Sequence, residues 1–346
     1  MAKLALTLVA LVLLGCEGTS LVDAGPHEGG IGCCDAGGAT DAGFTPIPAD
    51  ASIIVPPDQP LEVEAPRGSP SCEAADEELI ALCGELDRFH VSNTGRPGAA
   101  GTADDPFATM EDALAHCGTG CEVRVATGDY APATNLPMPP CVWLSGGWQP
   151  SADGWTHEGG RSTVRTGRLV WLAYSEGRLL IEHFDIAGPN SAIGGMGELL
   201  SVRDVRLAEV ETAIALGDET DARICGTSID AELRAIDATR ATDVLVHQVS
   251  LRSRGVALNL GGGAARVLLS DSILISEGAG VTMTETSHVQ ILRSRIEGGQ
   301  RGVVLGDQVS HVLVQDSEVY GCRDAILIGG GAWNIKIVDT VQRSGC

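Results

Sequence analysis

The sequence predicts an all-β solenoid, a rod of stacked coils, preceded by a leader and an acidic tether. Three observations predict this fold. Apolar residues recur every 21 to 23 residues through the second half of the chain. They lie in alternating runs of three to five residues, which are typical of short strands. The 346 residues include 45 glycines but only 12 aromatic residues, a composition that favours many turns over long helices.

Charge and cysteine content exclude several functions. The chain has 46 acidic and 23 basic residues, a formal charge of −23, so little could neutralise phosphates and no nucleic-acid partner is predicted. Hydrophobic residues make up 44% of the chain, enough for a sizeable core. The 11 cysteines would be a redox hazard in a cytosol and therefore indicate an oxidising compartment.

Residues 1–16 are predicted to be a lipoprotein signal peptide. The apolar run Leu4–Leu14 is too short to cross a bilayer as a stable helix. It ends in Leu-Leu-Gly-Cys16, which resembles the lipobox of bacterial lipoproteins. The resemblance implies that Cys16 is diacylated and becomes the new N-terminus, a stable membrane anchor. The residue after the cysteine is Glu17 and not Asp, which by the sorting habit of enteric lipoproteins implies an outer-membrane or cell-surface location. The alternative is a plain secretory signal with a chance cysteine.

Residues 17–88 are predicted to form a largely disordered tether. Residues 17–70 include nine glycines and eight prolines, and residues 17–88 carry 15 acidic and 2 basic residues. Such a segment buries too little to fold, and its like charges extend it. Cys72 and Cys83 flank a weakly helical pattern, which suggests one turn closed by a disulfide. A spacer is favoured over an adhesive tail.

Residues 89–160 are predicted to contain an N-terminal cap and the first coils. Thr109, with Asp112 three residues later, has the pattern of a helix N-cap. Apolar residues then line one face of a short helix, which would cover the open end of the first coil. Cys117 and Cys121 are predicted to form a disulfide, with a zinc site that includes His116 as the alternative.

Residues 161–346 are predicted to be regular coils of ~22 residues, about ten coils in all when those before residue 161 are counted. Each coil would contain three short strands and three bends, with every strand paired in parallel to its equivalent in the next coil. A small residue followed by a β-branched one marks each coil, as in Ala235-Ile236, Gly255-Val256 and Gly280-Val281. The inward aliphatic pairs, five residues apart, are Ile181/Ile186, Val202/Leu207, Ile224/Ile229, Val246/Leu251, Leu269/Leu274, Ile291/Ile296 and Val314/Val319.

This repeat resembles the right-handed parallel β-helix of the pectin-lyase-like superfamily. A second resemblance is carried by Gly101-Thr102, Pro106-Phe107, Ala113-Leu114, Val123 to Tyr130 and Gly146-Gly147-Trp148, which occur in the order found in surface β-helix proteins. Together the two cover residues 89–346. With the lipobox, the chain is most similar to surface lipoproteins of deltaproteobacteria such as myxobacteria.

Relatives of that superfamily include pectate lyases, polygalacturonases and uronan epimerases, so the resemblance raises a carbohydrate-active enzyme as an alternative. The polygalacturonase-like motifs N-x-D, D-D, H-G and R-x-K do not occur in the repeat region. The Asp104-Asp105 pair lies before the coils. Calcium would be a cofactor only under this alternative, and otherwise none is predicted.

One polar column is the best candidate for chemistry. Asp271, Arg293 and Asp316 each stand two residues after an inward aliphatic, so they are predicted to stack ~4.8 Å apart. An alternating salt-bridge ladder is the favoured interpretation, because the arginine already neutralises both acids. The alternative gives the two acids a calcium or sugar ligand and Arg293 the role of base or clamp.

Two further columns are predicted to be structural. His288 and His311 lie one coil apart, with Asn334 one coil further on, and too few ligands accompany them for a metal. The second column is a hydrogen-bonded hydroxyl ladder of Ser272, Ser294, Ser317 and Thr340.

Cys322 and Cys346, 24 residues apart, are predicted to lie on adjacent coils and to form a disulfide that holds down the last coil. Differently paired or free thiols are the alternative.

The sequence therefore predicts a lipid-anchored β-helix with a structural or binding role, with polysaccharide or a surface protein as partner. The alternative is a polysaccharide lyase or glycosidase on the same scaffold, and the fold alone does not decide between them.

Overall fold

The computed structural model describes residues 44–46, 72, 81, 83–133, 136, 138–151, 154–165, 171–173, 177–188, 192–196 and 198–345. The predicted leader with Cys16, and the C-terminal Cys346, lie outside the described residues. In the described part of the chain, no helix is long and apolar enough to cross a membrane.

The described residues are almost entirely strand, with one helix. The helix α1 spans Met110–His116. The strands are β1 Phe44–Pro46, β2 Asp87–Arg96, β3 Cys121–Ala126, β4 Gly128–Tyr130, β5 Cys141–Ser151, β6 Gly154–His157, β7 Ser162–Arg165, β8 Trp171–Ala173, β9 Arg178–Glu182, β10 Phe184–Ala187, β11 Ile193–Met196, β12 Leu199–Arg203, β13 Arg206–Leu216, β14 Asp221–Cys225, β15 Ser228–Thr239, β16 Thr242–His247, β17 Ser250–Ser253, β18 Val256–Gly261, β19 Ala265–Ser270, β20 Ile273–Ser276, β21 Ala279–Met283, β22 Ser287–Leu292, β23 Arg295–Gly298, β24 Arg301–Leu305, β25 Ser310–Gln315, β26 Glu318–Gly321, β27 Asp324–Gly329, β28 Trp333–Val338 and β29 Val341–Ser344.

Apart from β1 and β6, which pair antiparallel, these strands form the three faces of a parallel solenoid, in agreement with the predicted coils of ~22 residues. The first face stacks eleven strands, β2, β3, β5, β9, β12, β14, β16, β19, β22, β25 and β28. The second face runs from β4 and β7 to β26 and β29, and the third from β8 and β11 to β24 and β27. The long strands β13 and β15 bend across both of these faces and join them into one sheet.

The predicted inward aliphatics form the core. On the first face Val202, Ile224, Val246, Leu269 and Ile291 are at most 2% exposed, and they pair coil by coil in register. Stacked coils bury these side chains against their own equivalents above and below, so the coil period is fixed by the interior. The predicted fold class is confirmed.

The third-face marker was misplaced in one coil. Ile236 pairs with Leu258 and then Val281, so the marker there is Ala257-Leu258. The predicted Gly255-Val256 falls two residues earlier, where Val256 pairs with Arg234. The error arose because Leu258 is not β-branched, so the pattern of a small residue before a β-branched one selected Gly255-Val256 instead.

The short helix α1 is present as predicted. The Thr109 side chain accepts a hydrogen bond from the Asp112 backbone N–H at 3.1 Å. Met110, Ala113 and Leu114 are buried against the core.

Three disulfides join described residues. Cys117 pairs with Cys121, four residues away. The predicted Cys72–Cys83 bond is wrong, because Cys72 pairs with Cys225 at the end of β14, and Cys83 pairs with Cys141 at the start of β5. Stacking puts Cys141 and Cys225 on the first face, within reach of the two tether cysteines, so proximity in sequence does not decide the pairing. The C-terminal cysteine pair is only partly described. Cys322 is disulfide-bonded. The Cys322–Cys346 bond stays a prediction, because Cys346 lies outside the described residues.

Candidate functional site

The column that contains Asp271, Arg293 and Asp316 runs along the corner between the first and second faces. Its members all have φ between 45° and 59°, the left-handed region, which glycine and short polar residues adopt most easily. The bend therefore favours polar residues here whatever the function. The members are His183, Asp204, Gly226, Gln248, Asp271, Arg293, Asp316 and Asp339.

Within this column the arginine is paired with one acid and not centred between two. Arg293 Nε and Nη2 donate to the two carboxylate oxygens of Asp271, each at 2.7 Å. This hydrogen bond lowers the pKa of Asp271. Asp316 instead accepts a hydrogen bond from Gln315 Nε2 at 3.1 Å. The stacking is as predicted, and nothing in the geometry tests a catalytic role for the three residues.

The hydroxyl ladder lies next to this column. The backbone N–H of Ser272 donates to Ser294 Oγ at 3.3 Å, and that of Ser294 to Ser317 Oγ at 3.2 Å. Each serine hydroxyl in turn donates to a carbonyl two residues earlier. The ladder is confirmed as a means of satisfying buried polar groups at the corner.

The predicted histidine column belongs to a second left-handed series, inside the first-face strands. Its members are Asp243, Arg266, His288, His311 and Asn334, with φ between 52° and 57°. Arg266 Nε and Nη2 donate to Asp243, each at 2.7 Å, and the Asp243 side chain is only 4% exposed. The two histidine rings stack at 4.6 Å, and burial and the neighbouring His288 lower the pKa of His311.

A denser polar cluster, which the sequence did not predict, lies on the N-terminal coils. Its centre is Glu182, the last residue of β9, which is 3% exposed. Trp143 Nε1 and Ser145 Oγ donate to its Oε1 at 2.9 and 2.8 Å, and Arg203 donates to its Oε2. Burial opposes ionisation, but the hydrogen bond and charge of Arg203 outweigh it, so the pKa of Glu182 is lowered.

An imidazole–carboxylate pair adjoins Glu182. His183 Nδ1 lies 2.9 Å from Asp204 Oδ2, and Asp204 also accepts from Arg161. The His157 ring lies 4.2 Å from the His183 ring, and burial and the charge of His183 lower the pKa of His157. Two imidazole rings therefore lie side by side, and that of His183 contacts the carboxylates of Asp204 and Glu182.

The cluster continues into an aromatic and cationic patch. The Arg124 guanidinium lies 4.0 Å from the centre of the Trp148 ring, a cation–π contact. His157 meets the same indole edge-on at 5.7 Å. Arg124 and Arg88 both donate to Glu122, at 2.6 and 2.7 Å. We call Arg124, Trp148, His157, His183 and Arg161 the N-terminal patch.

One signal in the sequence could have indicated this patch. Of the five tryptophans, Trp143, Trp148 and Trp155 lie within residues 143–155. Aromatic residues are otherwise scarce in this chain, so their clustering marks a local departure from the repeat.

The described residues contain no group of three or more His, Cys, Asp or Glu side chains placed to hold a metal ion. The zinc alternative is wrong, because the sulfurs of Cys117 and Cys121 are bonded to each other. His116 Nδ1 lies 2.7 Å from the Asp112 carbonyl oxygen.

Comparisons with known proteins agree with the fold. No curated protein matches the chain. Solved structures similar to it include XylC with xylose (9% identity, 73% of this chain and 67% of that chain, TM-score 0.45), pectate lyase Pel9A (12%, 68% and 64%, 0.37) and a rhamnogalacturonan lyase (14%, 73% and 62%, 0.31). Similarities of this size carry no argument about activity. The model of the family described as "Right handed beta helix region" matches residues 192–341, so this part of the chain is a right-handed parallel β-helix.

Proposed function

We propose that the protein is a lipid-anchored surface protein whose solenoid is a binding scaffold, with polysaccharide bound at the N-terminal patch. The observation that supports the proposal most is that the acidic side chains in and beside the patch are paired with arginines. Glu122, Glu182 and Asp204 are each engaged by an arginine, so none is left as an unpaired acid. The half-buried Trp148 indole and the guanidinium groups of Arg124 and Arg161, whose side chains are 19% and 20% exposed, lie beside them. Their accessible atoms would contact the sugar rings and hydroxyls of the polysaccharide.

The anchor is the second part of the proposal. The Leu-Leu-Gly-Cys16 sequence and the resemblance to myxobacterial surface lipoproteins support diacylation of Cys16. Disulfide bonds within the described residues support an oxidising location, in agreement with an outer-membrane or cell-surface protein.

One observation favours an enzyme as the second candidate. The His183–Asp204 pair has the arrangement of an oriented general base, and His157 lies beside it. A lyase or glycosidase would use such a base against a bound polysaccharide. Arg161 counts against it, because it already binds the other carboxylate oxygen of Asp204.

A polysaccharide array, run with and without calcium, tests the binding site. Trp148→Ala should abolish binding because it removes the ring that Arg124 contacts. Trp148→Phe should restore most of it, and Arg293→Ala, a matched surface change on a distant coil, should leave it unchanged. Equal binding by wild type and Trp148→Ala would overturn the proposed site.

Product analysis of the bound polysaccharides separates binder from enzyme. Intact polysaccharide after long incubation is expected. Cleavage that is lost in His183→Gln, with binding retained, would replace the binding proposal by the enzyme. Mass spectrometry of the mature N-terminus tests the anchor, and an unmodified N-terminus at another residue would contradict it.

A further inference from the structure

Arginines and carboxylates pair throughout the N-terminal patch and among the side chains that border it. Arg124 Nε and Arg88 Nε lie 2.6 and 2.7 Å from the two carboxylate oxygens of Glu122. Arg203 donates to Glu182. Both glutamates are at most 4% exposed, so these three arginines are held by buried acids.

The fourth arginine, Arg161, contacts two carboxylates. It donates to Asp204, and its Nη1 lies 3.6 Å from Asp185 Oδ1. The side chains of Asp204 and Asp185 are 40% and 39% exposed, whereas that of Arg161 is 20% exposed. These four arginines therefore face four carboxylates, so their formal charges cancel, and beside Arg161 the acids are the more accessible groups.

The two imidazoles of the patch do not act as free cations. Burial and the charge of His183 lower the pKa of His157, so that ring is largely uncharged at neutral pH. The His183 ring faces Asp204 and Glu182, at 2.9 and 3.7 Å. Residues 87–204, which include the first coils, contain 14 acidic and 8 basic residues, a formal charge of −6. The field of this region therefore repels a polyanion.

We propose that the N-terminal patch selects neutral polysaccharides and discriminates against chains that carry carboxylates or sulfates. The inference rests on the proposed polysaccharide binding at this patch and adds the class of ligand. Sugar hydroxyls donate to the exposed carboxylates and accept from the arginine N–H groups, and the accessible part of the Trp148 ring contacts the sugar C–H groups. A ligand carboxylate would instead have to displace Asp204 or Glu122 from its arginine, which leaves one acid unpaired.

Polymers that differ in charge but share their linkages test this preference in the full chain. The probes are hydroxyethyl and carboxymethyl derivatives of a β-glucan and of xylan, and polygalacturonate before and after reduction of its carboxyl groups. The neutral member of at least one pair should bind at least about tenfold more tightly than its charged counterpart. Raising NaCl from about 50 to about 500 mM should leave that affinity unchanged. Equal or tighter binding of the charged members would overturn the inference.

A matched pair of variants tests the charge pairing itself. Glu122→Gln removes the acid that Arg124 and Arg88 share, so the affinity for the charged polymer should rise relative to the neutral one. Asp271→Asn releases Arg293 in the same way on a distant coil and should leave this ratio unchanged. A wild-type ratio in folded Glu122→Gln would contradict discrimination by charge.

The outcomes also separate this inference from the proposed function. A preference for charged polymer that is lost in Trp148→Ala would leave the binding site in place and overturn only the neutral class of ligand. Binding to none of the polymers, neutral or charged, would contradict the proposed function and this inference with it.

Discussion

The first coils and the last coils of the same solenoid are built differently. Between β3 and β12 aromatic and ionisable side chains, such as Trp143, Glu182 and His183, gather in one connected cluster. From β14 onward the interior repeats aliphatic residues in register, and polar groups form ladders such as Ser272 and Ser294. The regular coils therefore satisfy their own polar groups along the axis, whereas the first coils concentrate aromatic and ionisable groups at one place. We therefore expect ligand to bind at the irregular first coils and not at the regular ones.

The largest expected effect comes from the disulfides that join cysteines before β2 to the first face of the solenoid. Replacing both Cys83 and Cys141 by Ser opens a bond between residues 58 apart, which the chain-entropy model values at up to about 4 kcal/mol of unfolding free energy. Replacing Cys117 and Cys121 opens a bond between residues four apart and should cost only about 2 kcal/mol. Denaturant unfolding measures both. A larger loss of stability from opening Cys117–Cys121 than from opening Cys83–Cys141 would contradict this ranking by loop length.

Two arginine–aspartate pairs of the same geometry allow a sharper comparison. Arg266→Ala leaves Asp243 buried without its main partner, so we expect a loss of about 3 kcal/mol. Arg266→Lys should recover part of it. Urea denaturation gives the values, and a loss below about 1 kcal/mol would show that burial does not set the strength of this pair.

The exposed pair should matter much less. Arg293→Ala removes the same two hydrogen bonds from Asp271, but the Arg293 side chain is 55% exposed and water replaces them. The expected loss is about 0.5–1 kcal/mol, smaller at high salt. Polysaccharide binding should be unchanged. A change in binding or turnover in correctly folded Arg293→Ala would show that this corner takes part in function, and would contradict its structural role.

The pH dependence of stability should be dominated by the first coils. The pKa of Glu182 is lowered in the folded state, so its contribution is fully present above the pKa of an unfolded glutamate, about 4.3, and is lost as pH falls through the folded value. Glu182→Gln should flatten the decline in stability on acidification. Thermal unfolding between pH 3 and 6 checks this, and an unchanged slope would contradict the assignment to Glu182.

The regular coils could be predicted from sequence because each feature repeats at one spacing. Val246, Leu269 and Ile291 follow the coil period, and so do Ser272 and Ser294. The clustered tryptophans marked the region of the N-terminal patch, but its individual residues could not be predicted, because they come from strands and turns at unequal spacings. Cys72–Cys225 was missed for a related reason, since a disulfide partner is chosen by position in space and 153 residues separate these two.

The central claim is that ligand binds the first coils and that the regular coils are a support. Hydrogen–deuterium exchange of the protein with its bound polysaccharide tests it most directly. The account predicts slower exchange on binding in β3, β5 and β6 and in the turn before β7, with no change from β19 to β29. Slower exchange confined to the regular coils, around Asp271 and Arg293, would contradict it.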